Sequence, residues 1–510
     1  MSENSFGNGG DLSESARRSL SRRGFLGVTA GTGAGMLLAA CGGGDSGSTT
    51  TSGGGGGGPV SGATPAERAI NGIKALDLPA DYEITVFSED LSIQAAVVTK
   101  DAFESASGIK LNIQEAPYLE YASKVLNDAT RKAGTFDCVL METNRMGDLD
   151  NAGYLVDISD WVERYNPDLP GMIAPQWRVW SQYSGKYVGL PTDGDVFMFY
   201  YRKDLLENAA EQSAFEDRFG RALEVPTTYD EYNEVVEFFN RPDDKLYGAV
   251  EWRVRGVTYN WFNQRLWSGG GTYFDDEMSA TINSAAGVQA LEDMKALNEF
   301  MPPDVLSYGY VETVEAMANG STFSNITWPA AGKNVSDPST SKTVGKWGFT
   351  TVPGYVVDGT PNPKSISAPG YNFIVSEFSK KNKEAVYLYG QWLVSPENLT
   401  IAAANPQGNT DAIRQSTFDS PKMAKVFPGA RGYLRAQMAN LEQAVPDPIL
   451  PGYAEYTQAL EIEISTYMTS DGSAQDALDT AAEKWDEVTD GFGRDQQLEV
   501  WTSFLDAYDA

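Results

Sequence analysis

Asp193 and Asp195 stand two residues apart in Pro191-Thr-Asp-Gly-Asp195. An extended backbone there points both carboxylates to one side. Such a pair can accept hydrogen bonds from hydroxyl groups, or it can cap its own loop. The rest of the chain limits what else it could do. No histidine occurs, which removes Ser-His-Asp and Cys-His catalysis, histidine general bases and histidine-ligated metals. The two cysteines are Cys41 and Cys138, so a cysteine metal site is excluded and no metal or cofactor is expected. Cys138 sits in an apolar run and reads as a small buried core residue. An enzyme built from this chain would work with carboxylates, Tyr, Ser or Lys. A glycosidase can run on two carboxylates, although residues two apart in sequence are poorly spaced to flank a glycosidic bond.

The charge balance narrows the partners. Against 39 Lys and Arg stand 70 Asp and Glu, a formal net charge of −31. Such a surface repels phosphate backbones, so nucleic acid is not an expected partner. A solvated acidic surface, a salty habitat or a cationic partner would each account for the excess.

The elements that must position these groups are legible in part. Glu83-Ile-Thr-Val-Phe87 reads as a strand, followed by a helix opening at Ser92 and ending at Gly108. Lys110-Leu-Asn-Ile113 is a second strand. A helix with Tyr118, Tyr121, Ala122, Val125 and Ala129 on one face follows it, closed by Gly134. Phe136-Asp-Cys-Val-Leu-Met141 is apolar apart from Asp137, as a parallel strand buried on both faces requires. The alternation predicts a doubly wound α/β lobe. After Gly189-Leu-Pro191 the pattern changes to a strand at Val196–Tyr201 and a mostly helical region. Strands return at Gly348–Val352 and Asn372–Val375, and Glu384–Leu393 is helical. Two amphipathic helices close the chain, one with Tyr453, Tyr456, Leu460, Ile464 and Tyr467 on a face, the other opening at Ser473 as N-cap. The body, roughly 440 residues, exceeds a single core, so two domains are expected.

The N-terminus reads as an address. Arg22-Arg23 precedes Gly-Phe-Leu26, then a small apolar stretch, then Leu38-Ala-Ala-Cys41. That stretch is shorter than the ~20 residues a membrane span needs, so it reads as a signal peptide over 1–40. The paired arginines resemble a twin-arginine export signal, and Leu38–Cys41 resembles a lipobox with Cys41 as the lipidated residue. Residues 41–64, nearly all Gly, Ser and Thr up to Gly58, form a flexible tether. The expected location is outside the cytoplasm, lipid-anchored on the outer face of the cytoplasmic membrane or in the periplasm.

Six segments in chain order carry a family resemblance. They are Gly185-Lys-Tyr-Val-Gly-Leu-Pro191 with Asp193-Gly-Asp195, Phe199–Leu205, Val225-Pro-Thr-Thr-Tyr-Asp-Glu-Tyr232, Met317-Ala-Asn-Gly320 leading to Trp328, Ser376–Trp392, and Gly408–Thr417 with Arg414. Together they resemble family 1 extracellular solute-binding proteins, the sugar receptors of bacterial ABC importers. The resemblance implies an α/β, two-lobed periplasmic-binding-protein fold. Its doubly wound sheets are joined by crossing hinge strands, with a ligand cleft between the lobes. The implied N-terminal lobe is 65–193 with 352–414, and the C-terminal lobe is 194–351 with 415–510. Crossings are expected near Pro191–Asp195, Val352 and Arg414.

Sugar recognition needs aromatic faces against the C–H faces of the ring, and planar polar groups for its hydroxyls. On that basis Tyr118, Thr143, Asn144, Asp193, Asp195, Trp328, Tyr371 and Arg414 are the candidate binding residues, Asp193 and Asp195 remaining open to the loop-capping role. Tyr118 could equally be a helix-face aromatic. Trp261 and Trp267 are expected in the core or behind the site. The implied function is an extracytoplasmic receptor, not an enzyme, that binds a sugar, oligosaccharide or polyol. It would act as a monomer and deliver ligand to ABC permease subunits by hinge closure. The same fold holding a polyamine is the alternative, and it would show several carboxylates around few amides.

Overall fold

A computed structural model describes residues 60–367, 370–406 and 408–509; Arg22, Arg23, Cys41 and nearly all of the tether lie outside the described residues. Nine strands form two main sheets, numbered β1 to β9 in chain order. They are β1 Glu83–Glu89, β2 Lys110–Ala116, β3 Cys138–Glu142, β4 Leu190–Pro191 and β5 Met198–Arg202. The remainder are β6 Tyr247–Val250, β7 Thr322–Thr327, β8 Trp347–Thr350 and β9 Tyr371–Val375.

The first sheet has the order β2-β1-β3-β9-β4. β1 runs parallel to β2 and β3, as the strand–helix alternation predicts. Every residue of β3 is buried, so its unbroken apolar run reflects cover on both faces. Helices Gln94–Ser107 and Lys383–Leu393 pack on this sheet and on each other. The first of these ends on Gly108, which takes a left-handed φ of 78°. Helix Tyr118–Arg131 stops short of Gly134, because Lys132 itself adopts the left-handed cap. Gly134 serves a different need, since a Cβ there would stand 2.0 Å from the Phe378 carbonyl oxygen. The second sheet has the order β8-β5-β7-β6, with β6 and β7 parallel and β5 antiparallel to β7 and β8. Helix Tyr229–Phe239 feeds into it from a full capping box between Thr228 and Glu231.

The chain first leaves the first sheet through 192–197, between β4 and β5. The return differs from the expected crossing at Val352. Gly354–Val357 and Thr360–Pro363 pair as a hairpin that stays on the second half. Gly354 N donates to the Thr227 carbonyl (3.0 Å) and Tyr355 N to Ser268 Oγ (2.9 Å). The turn that makes this possible is Asp358-Gly359, both with positive φ. The chain rejoins the first sheet only at Tyr371, where β9 runs antiparallel to β3 and β4. Arg414 likewise lies short of the third crossing. The following helix Gln415–Phe418 still packs on Pro396–Ala403, and the second half is reached at helix Ala430–Leu441. Helix Arg494–Asp509 turns back to the first half, where Arg178 Nε donates to the Ala507 carbonyl at 3.2 Å. Buried apolar side chains form a core continuous through both halves, and Cys138, Trp261 and Trp267 belong to it. Among the described residues no helix is long and apolar enough to cross a membrane.

Candidate ligand-binding site

Parallel strands end at one edge of each sheet, and a cavity of about 550 Å³ lies between those edges. From the first half, the end of β1 supplies Glu89, the start of helix Tyr118–Arg131 supplies Tyr118, and β9 supplies Tyr371. From the second half come Trp252 just beyond β6, Trp328 just beyond β7, and Tyr310 at the start of helix Tyr310–Asn319. The crossing loop contributes Asp193 and Asp195, and Asn409 closes the lining.

The aromatic walls are built edge to face. Trp328 packs against Phe197 (5.0 Å), Trp261 (5.4 Å) and Trp252 (6.2 Å). Trp252 in turn meets Tyr118 from the other half at 6.0 Å. The Trp252 indole N–H donates to the Val254 carbonyl (2.8 Å). Its neighbour Glu251 is locked in a buried bridge to Arg253 and Arg265. Tyr118 is fixed by donation of its hydroxyl to Glu142 Oε1 at 2.6 Å, and burial pushes that hydroxyl well above the usual phenol range. These contacts orient the rings before any ligand arrives.

The floor is acidic. Asp193 and Asp195 line it and Asp411 lies behind them; one carboxylate oxygen from each falls within 4.8 Å of the other two, and all three residues are buried. Asp193 Oδ1 accepts from the Asp411 amide at 2.6 Å. The close approach of the two loops depends on Gly194, where a Cβ would lie 2.1 Å from the Ala412 carbonyl oxygen. Gln437 Nε2 ties them together, donating to the carbonyls of Gly194 (3.2 Å) and Ala412 (3.1 Å). Lys333, also buried, sits 3.8 Å from Asp411 Oδ1 and donates to the Thr410 carbonyl at 2.8 Å. Burial pushes Asp193 and Asp195 well above the usual carboxylate range, and the adjacent carboxylates add to the effect. Asp411 is raised to about 6, burial outweighing the nearby Lys333, and burial lowers Lys333 itself. Glu89 is raised to about 7 by burial, even though its carboxylate accepts from the amides of Leu91 (2.7 Å) and Ser92 (2.5 Å).

Five of the eight candidate residues meet in this cavity: Tyr118, Asp193, Asp195, Trp328 and Tyr371. Three do not line it. Thr143 is buried behind β9, its amide bonded to the Gly370 carbonyl at 3.0 Å. Asn144 donates to Asp447 Oδ2 (2.9 Å) and to the Tyr453 hydroxyl (2.8 Å). Tyr453 also donates to Asp447 (2.6 Å) and lies 2.8 Å from the Tyr259 hydroxyl, while Asn263 reaches the same carboxylate at 3.3 Å. Asn144 therefore belongs to a buried knot joining the two halves. Arg414 is fully buried in the first half. Its guanidinium donates to the carbonyls of Val394 (2.7 Å), Asp168 (2.8 Å) and Pro167 (2.8 Å), and pairs with Asp168 Oδ2 at 3.2 Å. It is a loop anchor, not a wall of the cavity.

The lining residues missed from sequence include Glu89, Trp252, Tyr310 and Asn409. Glu89 carried a signal, an acid at the C-terminal end of a parallel strand, where such sheets bind ligands. Trp252 carried none beyond being an aromatic after β6.

Known proteins are similar to this chain. A family model described as bacterial extracellular solute-binding protein matches residues 87–400. A probable amino-acid ABC transporter periplasmic-binding protein of Sinorhizobium fredii is 24% identical over 359 residues, covering 69% of this chain and 76% of the relative. A maltotriose-binding protein of Pyrococcus abyssi is 21% identical over 378 residues, 68% of this chain and 75% of its own length. A solved ABC transporter solute-binding protein of Agrobacterium radiobacter K84, in complex with ribitol, aligns with a TM-score of 0.69 and 26% identity. It covers 80% of this chain and 100% of that one.

Proposed function

The chain belongs to the bacterial extracellular solute-binding proteins, and from that premise we propose that it captures a sugar, oligosaccharide or polyol for an ABC importer. The observation that carries this reading is the cavity between the halves. Tyr118 and Tyr371 from one side, and Trp252 and Trp328 from the other, frame buried Asp193 and Asp195. Aromatic faces cover the C–H faces of a ring or chain, and the carboxylates accept from its hydroxyls. The relatives that bind maltotriose and ribitol support the same class.

The amino-acid transporter relative suggests an amino acid instead. A free carboxylate would then need a cation facing it, and among the described residues that line the cavity there is no lysine or arginine. A glycosidase fits no better. The family is one of transport proteins.

Delivery follows from closure of the two halves around ligand, a population shift with no bond broken. We further infer that residues 1–40 export the chain and that Cys41 anchors it by lipid near its permease. The direct test is a thermal-shift and calorimetry screen of the purified protein against sugars, oligosaccharides and polyols. One class should raise the melting temperature, and Trp328→Ala should weaken its binding by about tenfold or more. Stabilisation by amino acids alone, with no response to any carbohydrate or polyol, would overturn the reading.

A further inference from the structure

The buried floor of the cavity holds more negative charge than a neutral ligand needs. Asp193 and Asp195 line it, and buried Asp411 lies behind them, one oxygen of each carboxylate within 4.8 Å of the other two; the cation beside this group is Lys333, also buried and 3.8 Å from Asp411. Asp411 Oδ2 is buried and has no hydrogen-bond partner. Sugar hydroxyls would donate to the Asp193 and Asp195 oxygens but bring no charge, leaving two of the three buried carboxylates without a counter-charge. That state is costly, so the carboxyls must hold protons. An ammonium group brings both three donors and a full positive charge, and charge-assisted bonds of this kind are the stronger ones.

The distribution of the acids says how many charges the ligand carries. Asp90, Glu120 and Glu312 also border the cavity, but they are exposed to solvent at its rim. The deep carboxylates are gathered at the crossing loop and at Glu89, while the remaining depth is walled by Trp252, Trp328, Tyr118 and Tyr371. A linear polyamine would need buried acids spaced along its length. One buried acidic end beside aromatic walls fits one ammonium on an uncharged body.

We propose that the ligand is a sugar or polyol carrying a primary amine, its ammonium held by Asp195 and Asp193 with Asp411 behind them, and its carbon skeleton laid against the aromatic walls. This rests on the sugar or polyol reading above. Groups facing the acidic cluster from the packed elements are Lys333, Tyr433, Tyr310, Tyr200, Glu89 and Glu142. Because the acids sit above their ordinary range, an ammonium arriving at neutral pH displaces protons from them. Its binding therefore strengthens as pH rises through the range in which the acids give up protons while the amine keeps its own, whereas a neutral sugar gains nothing from the same change.

The test is calorimetry on the full chain with matched pairs: glucosamine against glucose, and glucamine against sorbitol. Expected is a preference of about tenfold or more for at least one amine over its partner. Proton release on amine binding should appear as a dependence on buffer ionisation enthalpy. Asp195→Asn should collapse the ratio within that pair, and the proton-release measurement needs no variant. Equal binding within every pair, or no proton release, overturns the proposal while leaving the sugar reading standing. Tighter binding of spermidine than of any aminated sugar overturns it in favour of a polyamine. A melting temperature raised by calcium chloride alone and insensitive to amines overturns it in favour of a metal site. Failure of every carbohydrate and polyol, aminated or not, defeats the parent reading as well.

Discussion

Glu89 is an acid whose surroundings disagree with its chemistry. It is almost wholly buried, and burial lifts it to about 7. A carboxyl raised in the folded state binds more protons there than in the unfolded chain. Its contribution to stability is full below about pH 4 and is lost as pH rises through 7. A tenfold difference in proton affinity between the two states corresponds to about 1.4 kcal/mol. Glu89→Gln should therefore flatten part of the fall in melting temperature between pH 5 and 8, read as the difference between variant and parent melting curves. Gly194 makes a steric prediction of the same kind. Gly194→Ala forces a Cβ into the Ala412 carbonyl, which should cost about 1–3 kcal/mol. The same change should weaken ligand binding, because it separates Asp193 and Asp195 from Asp411. Asp193 and Asp195 were legible from their spacing alone. Asp411 was not, since nothing in a linear sequence says that a loop more than two hundred residues later, by the register of its hydrogen bond to Asp193, will lie against them.

The elements were easier to read where a local rule governs them. Ser473 accepts from the Asp476 amide as an N-cap should. The unbroken apolar run of β3 correctly signalled a strand covered on both faces. Reading failed where tertiary partners decide. The hairpin Gly354–Pro363 was invisible as an extension of the second half because its anchors, Thr227 just ahead of one helix and Ser268 at the end of another, are distant in sequence. Arg414 was read as a ligand contact because an arginine beside a predicted crossing suits sugar hydroxyls. Three carbonyls from two separate loops claim it instead. Arg414→Lys should lower unfolding free energy by about 2–4 kcal/mol, since an ammonium cannot span those acceptors. Ligand affinity, measured on the protein that remains folded, should stay close to that of the parent.

The two halves are coupled at their base by the knot of Asn144, Asp447, Tyr453, Tyr259 and Asn263. Its groups are buried and bonded across the halves, so breaking it leaves polar atoms unsatisfied. Asp447→Asn should shift the balance between open and closed forms, seen as a changed radius of gyration without ligand in small-angle scattering. For the expected anchor, Cys41→Ser should move the protein from the membrane fraction to the soluble fraction while leaving ligand binding intact.

Strand β9 also sets an order in time. It enters the first sheet between β3 and β4, yet the whole of the second sheet is synthesised before it. A nascent chain that has not yet reached Tyr371 carries β3 with an open edge and an apolar face uncovered, the condition in which chains aggregate. The same five residues that close this sheet bring Tyr371 to the cavity. The ribosome therefore cannot produce a binding-competent first half early and a second half later. Recognition and a sealed sheet are completed together, by one late strand.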